Sequence, residues 1–185
     1  MFPEIFDLHI YKKYNVDLNH MNHEQLLEHY SIYGQNEGRI CSKIFNRDTL
    51  TTHINKLKCL EIGPFDVPVL RGENVKYFDV LDKEGLTARA IQINRINNIL
   101  NIPDIHFVDN NGDLAIIKNE KFDIVLSCHS IEHQIDFVEH LRGVSNLLLP
   151  NGYYVIILPD KRYCFDHFLK ETTIADIINS HLHPW

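Results

Sequence analysis

Three carboxylates set the chemistry this chain could do. Glu61 stands in the apolar run Cys59-Leu60-Glu61-Ile62, directly before Gly63-Pro64. Asp79 sits near the end of Val75-Lys76-Tyr77-Phe78-Asp79-Val80. Asp113 lies in the turn-rich stretch Asp109-Asn110-Asn111-Gly112-Asp113, after Ile105-His106-Phe107-Val108. Short apolar runs of this kind read as buried strands of a parallel sheet. In an open α/β sheet the carboxyl ends of the strands line one crevice, and ligands bind there. An acid after the second strand is suited to accept hydrogen bonds from both hydroxyls of a ribose. A carboxylate after the third can accept one from an exocyclic amine. Together they describe an adenosine site, with Asp82 the rival of Asp79. Gly63 has no Cβ and tolerates positive φ, so backbone can approach a bound molecule there.

A second group follows the last strand. Pro159-Asp160-Lys161-Arg162-Tyr163-Cys164-Phe165-Asp166-His167-Phe168 is dense in side chains that bind or deprotonate a hydroxyl. His133 and His167 are candidate bases because imidazole titrates near neutral pH, and Asp160 is a third candidate. The bland alternative is a structural loop with Phe165 and Phe168 packed inward and its charges solvated. His129-Ser130-Ile131-Glu132-His133 spells H-x-x-E-H, the inverted zinc-peptidase pattern. That chemistry needs both histidines on one helix face, whereas here the letters straddle a strand end, so no metal is expected. His20, His23 and His29 lack a Cys or Asp partner at ligand spacing. G-x-G-x-x-G is absent after the first strand, which argues against hydride transfer on a nicotinamide.

These residues need elements to hold them. A short helix with Leu50, Ile54 and Leu57 on one face, capped by Asp48, leads into the Cys59 strand. The second strand follows after a loop. Lys83 to Leu100 carries Leu86, Ala90, Ile93, Ile96 and Leu100 at helical spacing. Phe122 to Ser127 is the fourth strand. Asp136 caps a helix bearing Val138, Leu141, Val144 and Leu148, ended by Pro150-Asn151-Gly152. Tyr153 to Leu158 is a fifth strand, expected to be buried on both faces. A capping-box start at Thr173 opens a helix with Ile174, Ile177, Ile178 and Leu182 in a stripe. Strands alternating with helices give an α/β fold, a mostly parallel sheet with helices on both faces. Residues 1–45, rich in Tyr, His and Asn, read as a separate helical N-terminal module, with a helix over Glu24–Tyr33, and 46–185 as the α/β domain.

The totals limit the partners. The chain has 185 residues, 44% hydrophobic and 23% charged, with net charge -7 and no long basic run. Nucleic acid and anionic membranes are disfavoured. No apolar stretch is long enough to span a bilayer, and no signal peptide is expected. Cys41, Cys59, Cys128 and Cys164 are widely spaced, as expected of free thiols in a reducing cytoplasm.

From about Leu57 to about Leu158 the chain resembles class I S-adenosylmethionine-dependent methyltransferases of the small methyltransferase-domain type. The resemblance is carried by Leu60-Glu61-Ile62-Gly63-Pro64, Tyr77-Phe78-Asp79-Val80, Gly112-Asp113-Leu114, Phe122 to His133 and Leu147 to Tyr153. It implies a Rossmann-like core, S-adenosylmethionine as cofactor and S-adenosylhomocysteine as product. It also implies roles: Glu61, Gly63 and Pro64 on the methionine side, Asp79 on the ribose, Asp113 and Leu114 beside the adenine, and Ser127 and His129 on the pocket floor. Two features depart from the family. Phe65-Asp66-Val67-Pro68 stands where further glycines are usual, giving a stiffer loop. The usual last two of seven strands are lacking, so the domain is expected to be C-terminally incomplete. The segment His29-Tyr30…Tyr33-Gly34…Glu37-Gly38-Arg39 is similar to segments accompanying bacterial glycosyltransferases. That similarity points to O-methylation of a sugar, polysaccharide or small-molecule acceptor, with a glycosyltransferase as potential partner. The alternative is a non-catalytic docking module.

Overall fold

The computed structural model describes residues 6–54 and 56–183, so the first five residues of the expected N-terminal module lie outside it. The chain divides into two compact units, Met1–Ile54 and Asn55–Trp185.

The first unit is helical. α1 (Leu8–Tyr14) and α2 (His23–His29) pack against each other, and α2 runs on through a wider π-type turn, Tyr30–Gly34. The capping box of Asn22 with Gln25 starts α2. The Tyr11 hydroxyl pairs with His29 Nδ1 at 2.8 Å, and the Phe6 ring stacks on Tyr30 at 4.2 Å. A Cβ at Gly34 would lie 2.1 Å from the Tyr11 hydroxyl, so only glycine fits. Gly38 turns the chain at φ +63, and Arg39 Nη1 then reaches Asp17 at 2.9 Å. The His29-Tyr30…Gly34…Gly38-Arg39 pattern is thus a set of contacts that closes this unit on itself. α3 (Arg47–Ile54) is grouped here as well. Its cap is Asn46, whose Oδ1 accepts Thr49 N–H at 2.8 Å, and not Asp48, which already lies inside the first turn.

The second unit is a parallel five-stranded sheet in the order β3-β2-β1-β4-β5. The strands are β1 (Cys59–Ile62), β2 (Val75–Asp79), β3 (Phe107–Val108), β4 (Phe122–Cys128) and β5 (Leu148–Ile157). α4 (Lys83–Gln92) joins β2 to β3, and α5 (Phe137–Leu147) joins β4 to β5. The chain moves outward in opposite directions on these two crossovers. Right-handed connections therefore place α4 and α5 on opposite faces. Leu60, Ile62, Phe78 and Val125 pack with Val144 and Leu147 of α5, while Leu86 and Ala90 of α4 form a separate cluster with Ile102. α6 (Ile174–Leu182) meets α5 through His181 Nδ1, 2.9 Å from the carboxylate of Asp136, the α5 cap.

Two boundaries differ from expectation. The helix read to Leu100 stops at Gln92, because Asn94 takes φ +60; a tighter 3-10 stretch follows over Ile96–Asn101. β5 starts at Leu148 and runs through the Pro150-Asn151-Gly152 turn as a register shift opposite Phe122 and Ile124. It is also not buried on both faces: Tyr153 and Ile156 are 46% and 41% exposed, and Leu158, just past its end, is 57% exposed. β5 pairs only with β4 among the described residues and so forms one edge of the sheet.

Candidate cofactor and acceptor site

The strand order reverses between β1 and β4: the chain leaves β1 towards β2 and β3, and leaves β4 towards β5. Ligand crevices of such sheets open at this reversal. Backbone strain gathers there too. Gly63 follows β1 at φ +69, and two non-glycine residues, Phe65 after β1 and His129 after β4, take φ +43 and φ +50. Non-glycine residues in this region cost energy and persist where the surroundings impose them. Gly63 also makes room for the opposite loop, since a Cβ there would lie 2.8 Å from Ser130 Oγ.

Glu61 is 1% exposed. Its two carboxylate oxygens accept the N–H groups of Val69 and Leu70, each at 2.8 Å. The Tyr77 hydroxyl donates to Leu70 O at 2.6 Å. Burial, and next the Glu61 charge, push the Tyr77 phenol up to about 12. Glu61 thus acts on the far end of the loop that Gly63 opens. Pro64 begins that loop with a turn in which Val67 N–H donates to Pro64 O at 3.2 Å.

Asp79 ends β2 with 7% exposure. Its Oδ1 accepts the Val80 N–H at 2.7 Å. Burial pushes this carboxyl above its ordinary value, against the pull of the Val80, Phe65 and Leu81 N–H groups and of the Arg89 guanidinium. Asp82, the rival acid, is spent as the cap of α4, accepting Gly85 N–H at 2.8 Å. After β3, Asp109 accepts the N–H groups of Asn111 and Asp113, both at 2.9 Å, and Asp113 caps the next turn at Ala115 N–H. That turn buries Leu114 in the α5-side core.

Beyond β4, Ser127 is fully buried and shares the α5-side face with Val125 by strand alternation. Its hydroxyl lies beside Tyr154, whose phenol burial pushes up and Ser127 pulls back. The two do not reach hydrogen-bond geometry, and Ser127 Oγ has no partner among the described residues. His129 is exposed, and its N–H donates to Ile157 O at 3.0 Å. That bond sets the start of the post-β5 loop beside the end of β4. His133 ends the short turn Ile131–His133. His129 and His133 therefore occupy a strand end and a turn, not one helix face.

In the post-β5 loop, Asp160 is gripped by Arg162, with Nε at 3.0 and 3.1 Å from its two oxygens. The Arg162 guanidinium holds this carboxyl below its ordinary value. It therefore keeps its charge and anchors the loop. His167 Nδ1 lies 3.1 Å from Cys164 O. A carbonyl only accepts, so Nδ1 carries the hydrogen and Nε2 is the basic nitrogen. Phe165 and Phe168, expected to pack inward under the structural alternative, are 91% and 74% exposed, as is Tyr163 at 85%.

The residues that sequence reading passed over as ligands of anything are Asp66, Arg89, Arg95 and Asn98. Asp66 Oδ2 meets Arg95 Nε at 2.7 Å and Asn98 Nδ2 at 3.0 Å. An acid in an otherwise apolar loop was the one signal available.

Residues 71–156 match the family described as Methyltransferase domain. S-adenosylmethionine is the methyl donor of such a domain and S-adenosylhomocysteine its product. Among solved structures, YjhP from E. coli is similar at 19% identity with a TM-score of 0.39, covering 60% of this chain and 46% of that one. The trans-methyltransferase CalH, solved in complex with S-adenosylhomocysteine, is 17% identical with a TM-score of 0.40, covering 72% and 40%. A protein from Staphylococcus aureus described as a caffeoyl-CoA O-methyltransferase is 16% identical with a TM-score of 0.42, covering 95% and 86%. The chain spans under half the length of the first two. No curated protein matches it.

Proposed function

We propose that this chain is an S-adenosylmethionine-dependent methyltransferase acting on a hydroxyl of a sugar, a polysaccharide or another small acceptor. The observation that carries the reading is Asp79, a carboxyl buried at the end of β2, beside the strained loop at the reversal of strand order. Burial raises this carboxyl and three backbone N–H groups offset part of that rise; a strand-end carboxylate here can accept hydrogen bonds from both hydroxyls of a ribose. The residues fit the cofactor by chemistry: Asp79 for the ribose, Asp113 and Leu114 for the adenine, and the side-chain-free Gly63 with Pro64 for the methionine portion. Glu61 serves by holding the loop. When bound, the cofactor would supply an electrophilic methyl group open to in-line attack by an oxygen, with the sulfide of S-adenosylhomocysteine as the leaving group. The chain then has to align the acceptor and take its proton. His167, with Nε2 basic, and His133 are the candidate bases. Tyr163, Phe165 and Phe168 offer exposed apolar ring faces next to polar groups, which suits a sugar ring with its alternating C–H and hydroxyl surfaces.

The first test is calorimetric titration with S-adenosylmethionine and S-adenosylhomocysteine. Micromolar binding, lost in Asp79→Ala with the fold retained, is expected. A folded wild-type chain that binds neither compound rules the proposal out.

A second reading, a docking module for glycan-synthesis enzymes, is favoured by the exposed Ile174, Ile178 and Leu182 on one stripe of α6. Such a module would show no methyl transfer to any sugar, and Asp79→Ala would not change its partner binding.

A further inference from the structure

The loop after β1 departs from glycine-rich loops in carrying a bulky ring and a buried acid, and both are held from the far side of α4. α4 ends with Asn94 at φ +60, Arg95 N–H donating to Ala90 O at 2.8 Å and Asn94 N–H to Ile91 O at 3.1 Å. This is the Schellman arrangement, which fixes where the chain emerges from a helix. What emerges is Arg95. Its Nε pairs with Asp66 Oδ2 at 2.7 Å, where the Asp66 side chain is 2% exposed, and Asn98 Nδ2 donates to the same oxygen at 3.0 Å. The Arg95 and Arg89 guanidiniums lie 5.5 and 5.9 Å from the Phe65 ring centroid. The ring itself packs on the Leu86, Ala90 and Ile102 cluster.

Phe65 is thus clamped between two cations and an apolar floor, with its neighbour Asp66 tied to Arg95. That clamp sustains the left-handed backbone at Phe65. The loop starts beside the end of β2, where Gly63 N–H donates to Phe78 O at 2.9 Å, and the Phe65 N–H is one of the groups that pull the Asp79 carboxyl down against its burial. We infer that Asp66 and Arg95 form a latch that positions Phe65, and through it Asp79, so that the chain distinguishes a ribose from a deoxyribose. Asp66 and Arg95 are positioning residues that act through Phe65 on the acid that touches the sugar. The inference rests on the cofactor site proposed above.

The test compares adenosine with 2′-deoxyadenosine as competitors of S-adenosylhomocysteine in calorimetry on the full chain. Wild type is expected to prefer adenosine by about tenfold, the loss of one hydrogen bond to a charged group. Asp66→Asn and Arg95→Gln are expected to bring that preference close to parity, and Arg95→Lys, which keeps a cationic donor, to restore much of it. Arg95→Gln keeps a neutral donor beside Asp66, so it guards against a variant that merely unfolds; thermal melts check the fold of each. A merely structural role would weaken both nucleosides by the same factor. That outcome, an unchanged preference in both variants, or a wild type that binds S-adenosylhomocysteine without discriminating, overturns the latch and leaves the methyltransferase proposal standing. A folded wild type that binds no S-adenosylhomocysteine removes both.

Discussion

His140 Nε2 and the Tyr154 hydroxyl meet at 2.8 Å, one from α5 and one from β5. Burial lowers the pKa of His140 below its ordinary value of 6.5. A histidine depressed in the fold contributes stability that is present above the unfolded value and is lost as pH falls through the folded one. Thermal midpoints should therefore drop as pH is lowered from 7 through 6.5 and below. His140→Gln keeps a partner for Tyr154 but does not titrate, so its midpoint should fall less over the same range. Equal slopes for the two proteins would exclude His140 as the source.

Asp79 carries the opposite sign. Its folded pKa is raised, so its contribution is complete below the ordinary value of 3.8 and is lost as pH rises through the folded value. At neutral pH the buried charge weakens the free chain. Asp79→Asn, whose amide oxygen can still accept the Val80 N–H, should raise the melting midpoint at pH 7 while lowering S-adenosylhomocysteine affinity about tenfold or more. A binding residue that costs stability is common at functional sites. A lowered midpoint would show that the charge is well solvated in the fold.

Gly63→Ala meets two obstacles, the positive φ and the 2.8 Å approach to Ser130 Oγ. We expect a loss of about 1–3 kcal/mol in chemical denaturation. The double change with Ser130→Gly should recover only the steric part. Full recovery would mean that backbone strain contributes nothing there.

Glu61→Gln replaces one acceptor by an NH2 group that faces an N–H. The expected cost is about 1–3 kcal/mol, read from urea denaturation. The same change should lower the Tyr77 phenol from about 12, because the Glu61 charge is one cause of its elevation. Ultraviolet titration of the tyrosines reads that directly.

Much of the α/β unit was legible because its central strands are short apolar runs with sharp ends. β1, β2 and β4 lie within one residue of the runs Cys59–Ile62, Val75–Val80 and Phe122–Ser127 that announce them. The caps at Asp136 and Thr173 were equally plain, since a cap is set by residues three apart. β5 was misjudged because being at the edge is a property of sheet order, which no local run encodes. Its start was hidden by Pro150-Asn151-Gly152, which reads as a stop but is absorbed as a register shift with Asn151 at φ +64. In the site, the strand-end acid Asp79 was visible from its spacing. The Asp66–Arg95 pair was not, because it joins two loops through α4 and neither sequence neighbourhood points to the other.

The end of α4 also acts as a gauge. Each residue advances a helix by about 100°, so adding or removing one before Asn94 would swing Arg95 round the helix axis and away from Asp66. The length of α4, and not only its composition, would then set how Asp79, the acid proposed to meet the sugar, is held. A relative with an insertion in this helix would need a different partner for its loop acid, or would be free to accept a different sugar.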